Sequence, residues 1–233
     1  MEPHRYWLLS TGLATCLCCN ALADEPAAPA LLDRIVVSAT RVAAKEATGS
    51  VHLIDAAQLE EHASGDINRV LRQVPGLNIV EEDGFGIRPN IGIRGSGTDR
   101  NAKIAVLEDG VPIAPAPYAA PSAYYFPRIA RMSAVEVSKG PAPIKYGPQT
   151  VAGAIGLSSA PIPGAPGTGP GGRLDLYSGE YGTLRGRAQA GGWIELGGAR
   201  DLGLSFETLQ EKSDGFKRLD SGGDTGFRIE DHV

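Results

Sequence analysis

The sequence predicts an α+β domain followed by the opening strands of an antiparallel transmembrane β-barrel, and three observations carry that expectation. Between residues 84 and 156, short extended segments are broken by glycine and proline, with charges set between apolar residues. From residue 159 to 172 the composition turns to proline and glycine, which marks a domain boundary. Beyond Gly172 the apolar residues recur with a period of two. Strands so short and so interrupted cannot build a large core, so something else must enclose the first domain.

The first domain begins with a strand at residues 51–54. Asp55 can then cap a helix beginning at Ala56, with Gln58 in the capping-box position. Asp66 can cap a second helix, in which Ile67, Val70, Leu71 and Val74 follow i, i+3, i+4, i+7 spacing. Pro75 and Gly76 should end it. Strands are predicted at 77–80, 91–94, 104–107, 134–137 and 154–157. Gly84 and Gly86, or the glycines of 92–97, could suggest a dinucleotide fingerprint. No helix follows either group to present its N-terminus to phosphate, and Pro89 sits where one would run. Close backbone approach and positive φ explain these glycines better.

In the second part, Leu184, Gly186, Ala188, Ala190, Gly192 and Ile194 fall on one face, and Thr183, Arg185, Arg187 and Gln189 on the other. Leu202, Leu204 and Phe206 alternate in the same way with Asp201, Ser205 and Glu207. Apolar-out and polar-in strands make a membrane barrel, but a soluble antiparallel sheet gives the same alternation. The connections at 178–182, 197–200 and 212–226 suit the barrel, with the short one inside and the others outside. The stretch after Gly172 is long enough for about four strands of roughly ten residues. A barrel wide enough to hold a domain needs about 22 strands. Nor does Glu230-Asp-His-Val233 resemble an aromatic-ended last strand, so the barrel is expected to continue past Val233.

Composition narrows the function. A weakly basic start, an apolar run from Tyr6 to Cys19 and Ala21-Leu-Ala23 predict a signal peptide over residues 1–23. The apolar run is too short to span a bilayer as a helix; a retained anchor is the alternative. All three cysteines, Cys16, Cys18 and Cys19, lie in that segment. A mature chain without thiols excludes disulfide scaffolds, Cys-ligated zinc and thiol catalysis, and suits an oxidising compartment. The net charge of −5 comes without a basic stripe, which argues against nucleic acid. No stretch of about 18 apolar residues follows the signal, so a membrane role would fall to strands. His4, His52, His62 and His232 are scattered, so neither a triad nor a metal site is expected. A secreted hydrolase would need paired carboxylates, and Glu81-Glu82-Asp83 reads better as a solvated loop.

Four groups of residues are candidates for function. Asp33-Arg34-Ile35-Val36-Val37-Ser38 follows a flexible lead and can add as a strand to a partner's sheet edge; an ordinary first strand is the alternative. Prolines stiffen the loop 111–131 and keep it out of central sheet positions, and its Tyr118, Tyr124, Tyr125 and Phe126 suit a recognition tip. Arg88, Arg100 and Lys103 could attract an anionic ligand. Arg94 and Lys139 each stand between an apolar strand and a glycine. If enclosed they need carboxylate partners, for which Glu136 is a candidate.

The segments Gly84-Phe-Gly-Ile-Arg-Pro-Asn-Ile-Gly-Ile-Arg-Gly95, Val106-Leu-Glu-Asp-Gly-Val-Pro112, Val135-Glu-Val-Ser-Lys-Gly140 and Tyr146-Gly-Pro-Gln149 closely resemble the plug domain of TonB-dependent outer-membrane receptors. Their spelling is nearest to the ferric dicitrate branch. The resemblance implies a flexible N-terminus with a TonB box (24–40), a plug (41–160), a linker (161–172) and the first barrel strands (173–233). It makes Asp33 to Ser38 the TonB-binding segment and Arg94, Glu136 and Lys139 a lock between plug and barrel, with most wall partners beyond this sequence. It gives the Tyr118, Tyr124 and Tyr125 loop, with Arg88, Arg100 and Lys103, to the outer ligand. Ser213-Asp-Gly-Phe-Lys-Arg-Leu-Asp220 is similar to the first long outer loop.

The resemblance also implies a ferric citrate-like chelate as cargo, with no resident cofactor because iron arrives already chelated. It implies TonB with its inner-membrane energising complex and outer-membrane lipid as partners, a Gram-negative outer membrane as location, and no covalent chemistry. Two departures matter. Ala120 stands where that branch has a polar side chain, which favours an iron chelate over citrate itself. Asp24 to Leu32 leaves no room for a signalling domain before the box. A secreted or periplasmic β-rich binding protein without energy coupling would explain the signal and the alternation but not the 35–37 segment.

Overall fold

Reciprocal capping at Asp55 starts the first helix. In the computed structural model, which describes residues 49–62, 65–113, 125–147, 149–196, 201–222, 225 and 228–233, strand β1 (Ser50–Ile54) runs into helix α1 (Ala56–His62). The Gln58 amide donates to Asp55 Oδ1 at 3.1 Å, and the Asp55 amide donates to Gln58 Oε1 at 3.3 Å. Helix α2 (Ile67–Leu71) is capped by Asp66, whose carboxylate accepts from the Asn68 amide at 2.8 Å. Ile67, Val70, Leu71 and Val74 are all buried, as their spacing requires. The helix stops at Leu71, earlier than expected. Val74 reaches the core from a following turn, its amide donating to the Leu71 carbonyl at 3.0 Å.

Strands β2 (Leu77–Val80) and β3 (Asn90–Ile93) pair as an antiparallel ribbon. Strands β4 (Ile104–Glu108), β5 (Val111–Pro112), β6 (Met132–Lys139) and β7 (Gly153–Ser159) join β1 in a mixed sheet of order β1-β6-β7-β4-β5. Only β4 and β7 run parallel within it. Strand β5 was not expected. Pro112 is tolerated there because β5 is an edge, where a missing N–H breaks no ladder. One core of Ile54, Leu71, Ile91, Ile93, Ile155 and Leu157, among others, ties the helices, ribbon and sheet together.

The loop 81–89 upholds the steric reading of its glycines. Gly84 and Gly86 have φ of +75° and +70°. The Asp83 carboxylate gathers the amides of Phe85, Gly86 and Arg88 at 2.7, 2.8 and 2.7 Å. A Cβ on Gly86 would lie 2.9 Å from the Ile67 amide nitrogen. The neighbouring acids have partners too: Glu81 meets Arg72 at 2.7 Å and Glu82 meets Arg100 at 3.2 Å.

The second sheet holds β8 (Gly171–Ser178), β9 (Leu184–Glu195), β10 (Asp201–Ser213) and β11 (Ile229–His232), antiparallel throughout in the order β11-β10-β9-β8. The first two are joined by a tight hairpin in which the Gly179 amide donates to the Thr183 carbonyl at 2.8 Å. Its polarity separates the two readings that alternation left open. Leu174, Leu176, Leu204 and Phe206 are exposed, Phe206 at 71%, while Gln189 and Glu211 are buried against the first domain. A soluble sheet would bury the leucine face; this one presents it outward, as a membrane barrel does. Among the described residues no helix is long and apolar enough to cross a membrane, which says nothing of strands.

Candidate functional site

The two sheets meet through buried ions. Arg128 precedes a short 3-10 turn, Ile129–Arg131, that leads into β6, and it is buried. Its guanidinium pairs with Glu211 on β10, and its Nε lies 3.4 Å from Asp231 on β11. Arg131 Nε lies 3.5 Å from Glu207 Oε2 on β10. From β9, Arg187 Nε donates to Glu207 Oε1 at 2.7 Å, and Arg185 Nη1 lies 3.9 Å from Glu211 Oε1. Glu207 and Glu211 are four apart on one strand and so share a face. Each is held by one arginine from the first domain and one from β9. A buried charge is costly without its partner, so this contact specifies a register rather than mere adhesion.

Other contacts support the same seam. A Cβ on Gly65 would lie 2.8 Å from Glu211 Oε1, so glycine permits the close approach. Gln189 Nε2 donates to the Pro161 carbonyl at 3.1 Å, and Arg173 on β8 reaches Glu60 on α1 at 2.9 Å. A cavity of about 760 Å³ runs beside these pairs, lined by Glu60, Arg173, Asp175, Arg187 and Gln189 among others.

The expected lock residues lie at another corner. Lys139 ends β6, is only 7% exposed, and its Nζ donates to the Pro75 carbonyl at 2.9 Å. The sequence pointed to a carboxylate for this cation; the fold supplies a backbone oxygen. Burial, and then the charge of Arg94, hold Lys139 below the usual lysine range. Arg94 is exposed, has φ of +51°, and its amide donates to the Gly76 carbonyl at 2.9 Å. Glu136 is buried in β6, where its Oε1 accepts from Ser138 Oγ at 3.1 Å. The fold thus brings Arg94 and Lys139 within electrostatic reach of each other and makes that end of the sheet positive.

Of the candidate ligand residues, Arg88 and Lys103 are exposed, and Arg100 is drawn to the loop of Arg88 by Glu82. Asn90 and Asn101 hold that corner: Asn90 Oδ1 accepts from the Arg100 amide at 3.1 Å, and Asn101 Oδ1 from the Ile91 amide at 2.5 Å. Tyr125 donates its hydroxyl to Glu108 Oε2 at 3.1 Å. Tyr118, Tyr124, Ala120, the 33–38 segment and the predicted signal peptide lie outside the described residues. Among the described residues no group of three or more His, Cys, Asp or Glu is placed to hold a metal ion.

Sequence reasoning missed Arg128, Arg131 and Glu211. A signal existed: Arg185, Arg187 and Glu207 already fell on the inward face, and Glu211 continues its period of two. Inward charges demand partners, and Arg128 and Arg131 are cations near a predicted buried strand.

Residues 43–154 match the family model described as the TonB-dependent Receptor Plug Domain. The first domain has the fold of such a plug domain, and the antiparallel strands after it match in fold the portion of such receptors where plug passes into barrel. The chain is similar in structure to the unliganded ferric citrate transporter FecA, at 21% identity and a TM-score of 0.50, covering 75% of this chain and 30% of that one. It is likewise similar to a doubly substituted ferric enterobactin receptor, PfeA of Pseudomonas aeruginosa, at 22% identity and a TM-score of 0.55, covering 77% and 26%. The FpvAI–pyocin S2 complex matches at 19% identity and a TM-score of 0.55, covering 72% and 20%. The chain therefore spans less than a third of the length of each of these structures, and the likeness is one of fold.

Proposed function

We propose that this chain forms the plug and first wall strands of an outer-membrane receptor that takes up a ferric chelate with energy delivered through TonB. The observation that carries the reading is the pairing of a plug-like domain, by the buried Arg128–Glu211 pair and the half-buried Arg131–Glu207 pair, with a sheet whose apolar face points outward. A plug needs a cylinder around it, and a sheet of this polarity needs lipid around it.

Ligand binds at the outer face, against the plug loops that carry Arg88, Arg100, Lys103, Tyr118, Tyr124 and Tyr125. Binding makes the Asp33 to Ser38 segment available in the periplasm, where TonB adds to it as a strand and pulls. Arg94, Lys139 and Glu136 serve as a lock, the two cations offering a positive corner to carboxylates of the barrel wall. Iron arrives chelated, no resident cofactor is needed, and no covalent bond changes. The spelling of the plug and the likeness to FecA support a citrate-like cargo; Ala120 weakens that by removing a polar group from the tip.

Capture by the TonB periplasmic domain tests the reading. Wild-type receptor should be retained and Val36→Pro should not, since proline cannot donate to the added ladder. Equal capture of both would sink it. Growth of a deletion strain on different iron chelates under iron limitation would then identify the cargo.

A further inference from the structure

Glu108 belongs to two contacts that compete for it. It ends β4, and the turn that follows fixes its place. Asp109 has φ of +50° and Gly110 of +84°. The Asp109 amide donates to the Leu157 carbonyl at 2.9 Å, and its carboxylate accepts from the Ser159 amide at 2.8 Å. From this rigid mount Glu108 Oε2 accepts from the Tyr125 hydroxyl at 3.1 Å, while Oε1 stands 4.0 Å from Arg131 Nη1. Arg131 is shared in turn, because its Nε lies closer to Glu207 of the wall, at 3.5 Å. A hydroxyl, a carboxylate, a guanidinium and a second carboxylate thus run from Tyr125 to the seam between the sheets.

The links differ in how easily they break. Tyr125 is 46% exposed and anchored through its hydroxyl, while Phe126 beside it is buried in the core. The Tyr125 ring can therefore swing away without unpacking the domain. Burial, and then the charge of Glu108, hold its phenol above the ordinary tyrosine value, so it stays a donor. Glu108 and Arg131 are both mostly withdrawn from water, which leaves their attraction weakly screened. When the hydroxyl leaves, Glu108 loses a donor and regains one from Arg131, which then comes off Glu207. A packed element with two such arrangements switches between them rather than deforming gradually.

We infer that Glu108 is a switching carboxylate between Tyr125 and the seam. With Tyr125 in place it leaves Arg131 to the wall; with Tyr125 gone it draws Arg131 back into the first domain and loosens the seam. The switch stands without the receptor reading. Joined to that reading, the Tyr125 hydroxyl is the point at which an occupant of the outer face acts on the contact between the sheets.

Thiol labelling of a single cysteine tests this. Leu209 stands between Glu207 and Glu211 on the same face of β10 and is 1% exposed, so a cysteine there reacts only when the seam opens. Cys16, Cys18 and Cys19 lie in the predicted signal peptide and are removed with it or replaced by serine. In the purified, folded Leu209→Cys protein, Tyr125→Phe keeps the ring and removes the hydroxyl. It should speed labelling about threefold, the worth of one weak ion pair. Glu108→Gln still accepts a hydrogen bond but has no charge to draw Arg131. It should not speed labelling, and adding Tyr125→Phe to it should change nothing. Arg131→Met should speed labelling, and Tyr125→Phe should add nothing there either. The same acceleration by Tyr125→Phe in all three chains would mean that the tyrosine only packs on the seam. That result, or no acceleration in the parent chain, overturns the switch. The assay uses neither chelate nor TonB, so its failure leaves the receptor reading standing, and failure of TonB capture leaves the switch.

Discussion

Arg131 of the plug and Glu207 of wall strand β10 form an ion pair, Nε to Oε2 at 3.5 Å, across the seam between two separate sheets. The same carboxylate binds Arg187 from the neighbouring strand at 2.7 Å. One wall side chain therefore reads both the position of the plug and the pairing of β9 with β10.

Removing that carboxylate should be expensive. Glu207→Leu leaves the partly buried Arg187 without its anion, while Arg131 keeps Glu108 at 4.0 Å, so the loss should be about 1–3 kcal/mol. Thermal unfolding of the purified protein should shift downward, and Arg131→Met in the same chain should restore part of the loss. A Glu207→Leu receptor as stable as wild type would show that the seam is held by something else.

Gly65 offers a steric counterpart. A Cβ there would press on the facing ends of both Arg185 and Glu211, standing 2.8 Å from Glu211 Oε1, so a side chain must push this ion pair aside. Gly65→Val should loosen the first domain without disturbing either sheet, seen as faster protease cleavage of that domain in the folded protein. Unaltered cleavage kinetics would contradict this account of the contact.

The lipid-facing assignment predicts that Phe206 on β10 accepts an apolar replacement but not a charged one. Phe206→Arg puts a charge on the outward face and should cost about 2–4 kcal/mol of folding free energy in bilayers if it lies near the midplane. Phe206→Leu should be tolerated. Folding into lipid vesicles, followed by denaturant titration, measures both; equal yields for the arginine and leucine variants would argue for a water-facing sheet.

His52 predicts a pH effect. Burial, and then the charge of Lys139, hold its imidazole below the ordinary histidine value of about 6.5. Just below that value the unfolded chain binds a proton that the folded plug does not, so stability rises with pH through this window and falls as the medium is acidified. His52→Gln should flatten the dependence of melting temperature on pH between about 5 and 7. A slope identical to wild type would assign the effect to other groups.

The Asp55–Gln58 box starts a short helix that has no fully buried residue, so its cap matters more than its packing. Asp55→Ala should cost about 1 kcal/mol, and amides of α1 should exchange faster with solvent. Unchanged exchange across residues 56–62 would mean that tertiary contacts alone hold the helix.

What the sequence determined was local. The caps at Asp55 and Asp66 were legible because donor and acceptor lie two or three residues apart. The outward leucines and inward arginines of β9 were legible because a strand alternates its side chains whatever surrounds it. The glycines of the 81–89 loop announced their positive φ for the same reason. What only the tertiary structure decided was every partnership across distance. Arg128 finds Glu211 over 83 residues, and no spacing rule could select it over Arg94 or Lys139. The edge position that admits Pro112, the carbonyl that receives Lys139, and the meeting of Tyr125 with Glu108 likewise depend on sheet order and packing. Local hydrogen bonds and side-chain periods are set by neighbouring residues alone, whereas an ion pair needs two strands brought together by the burial of everything between them.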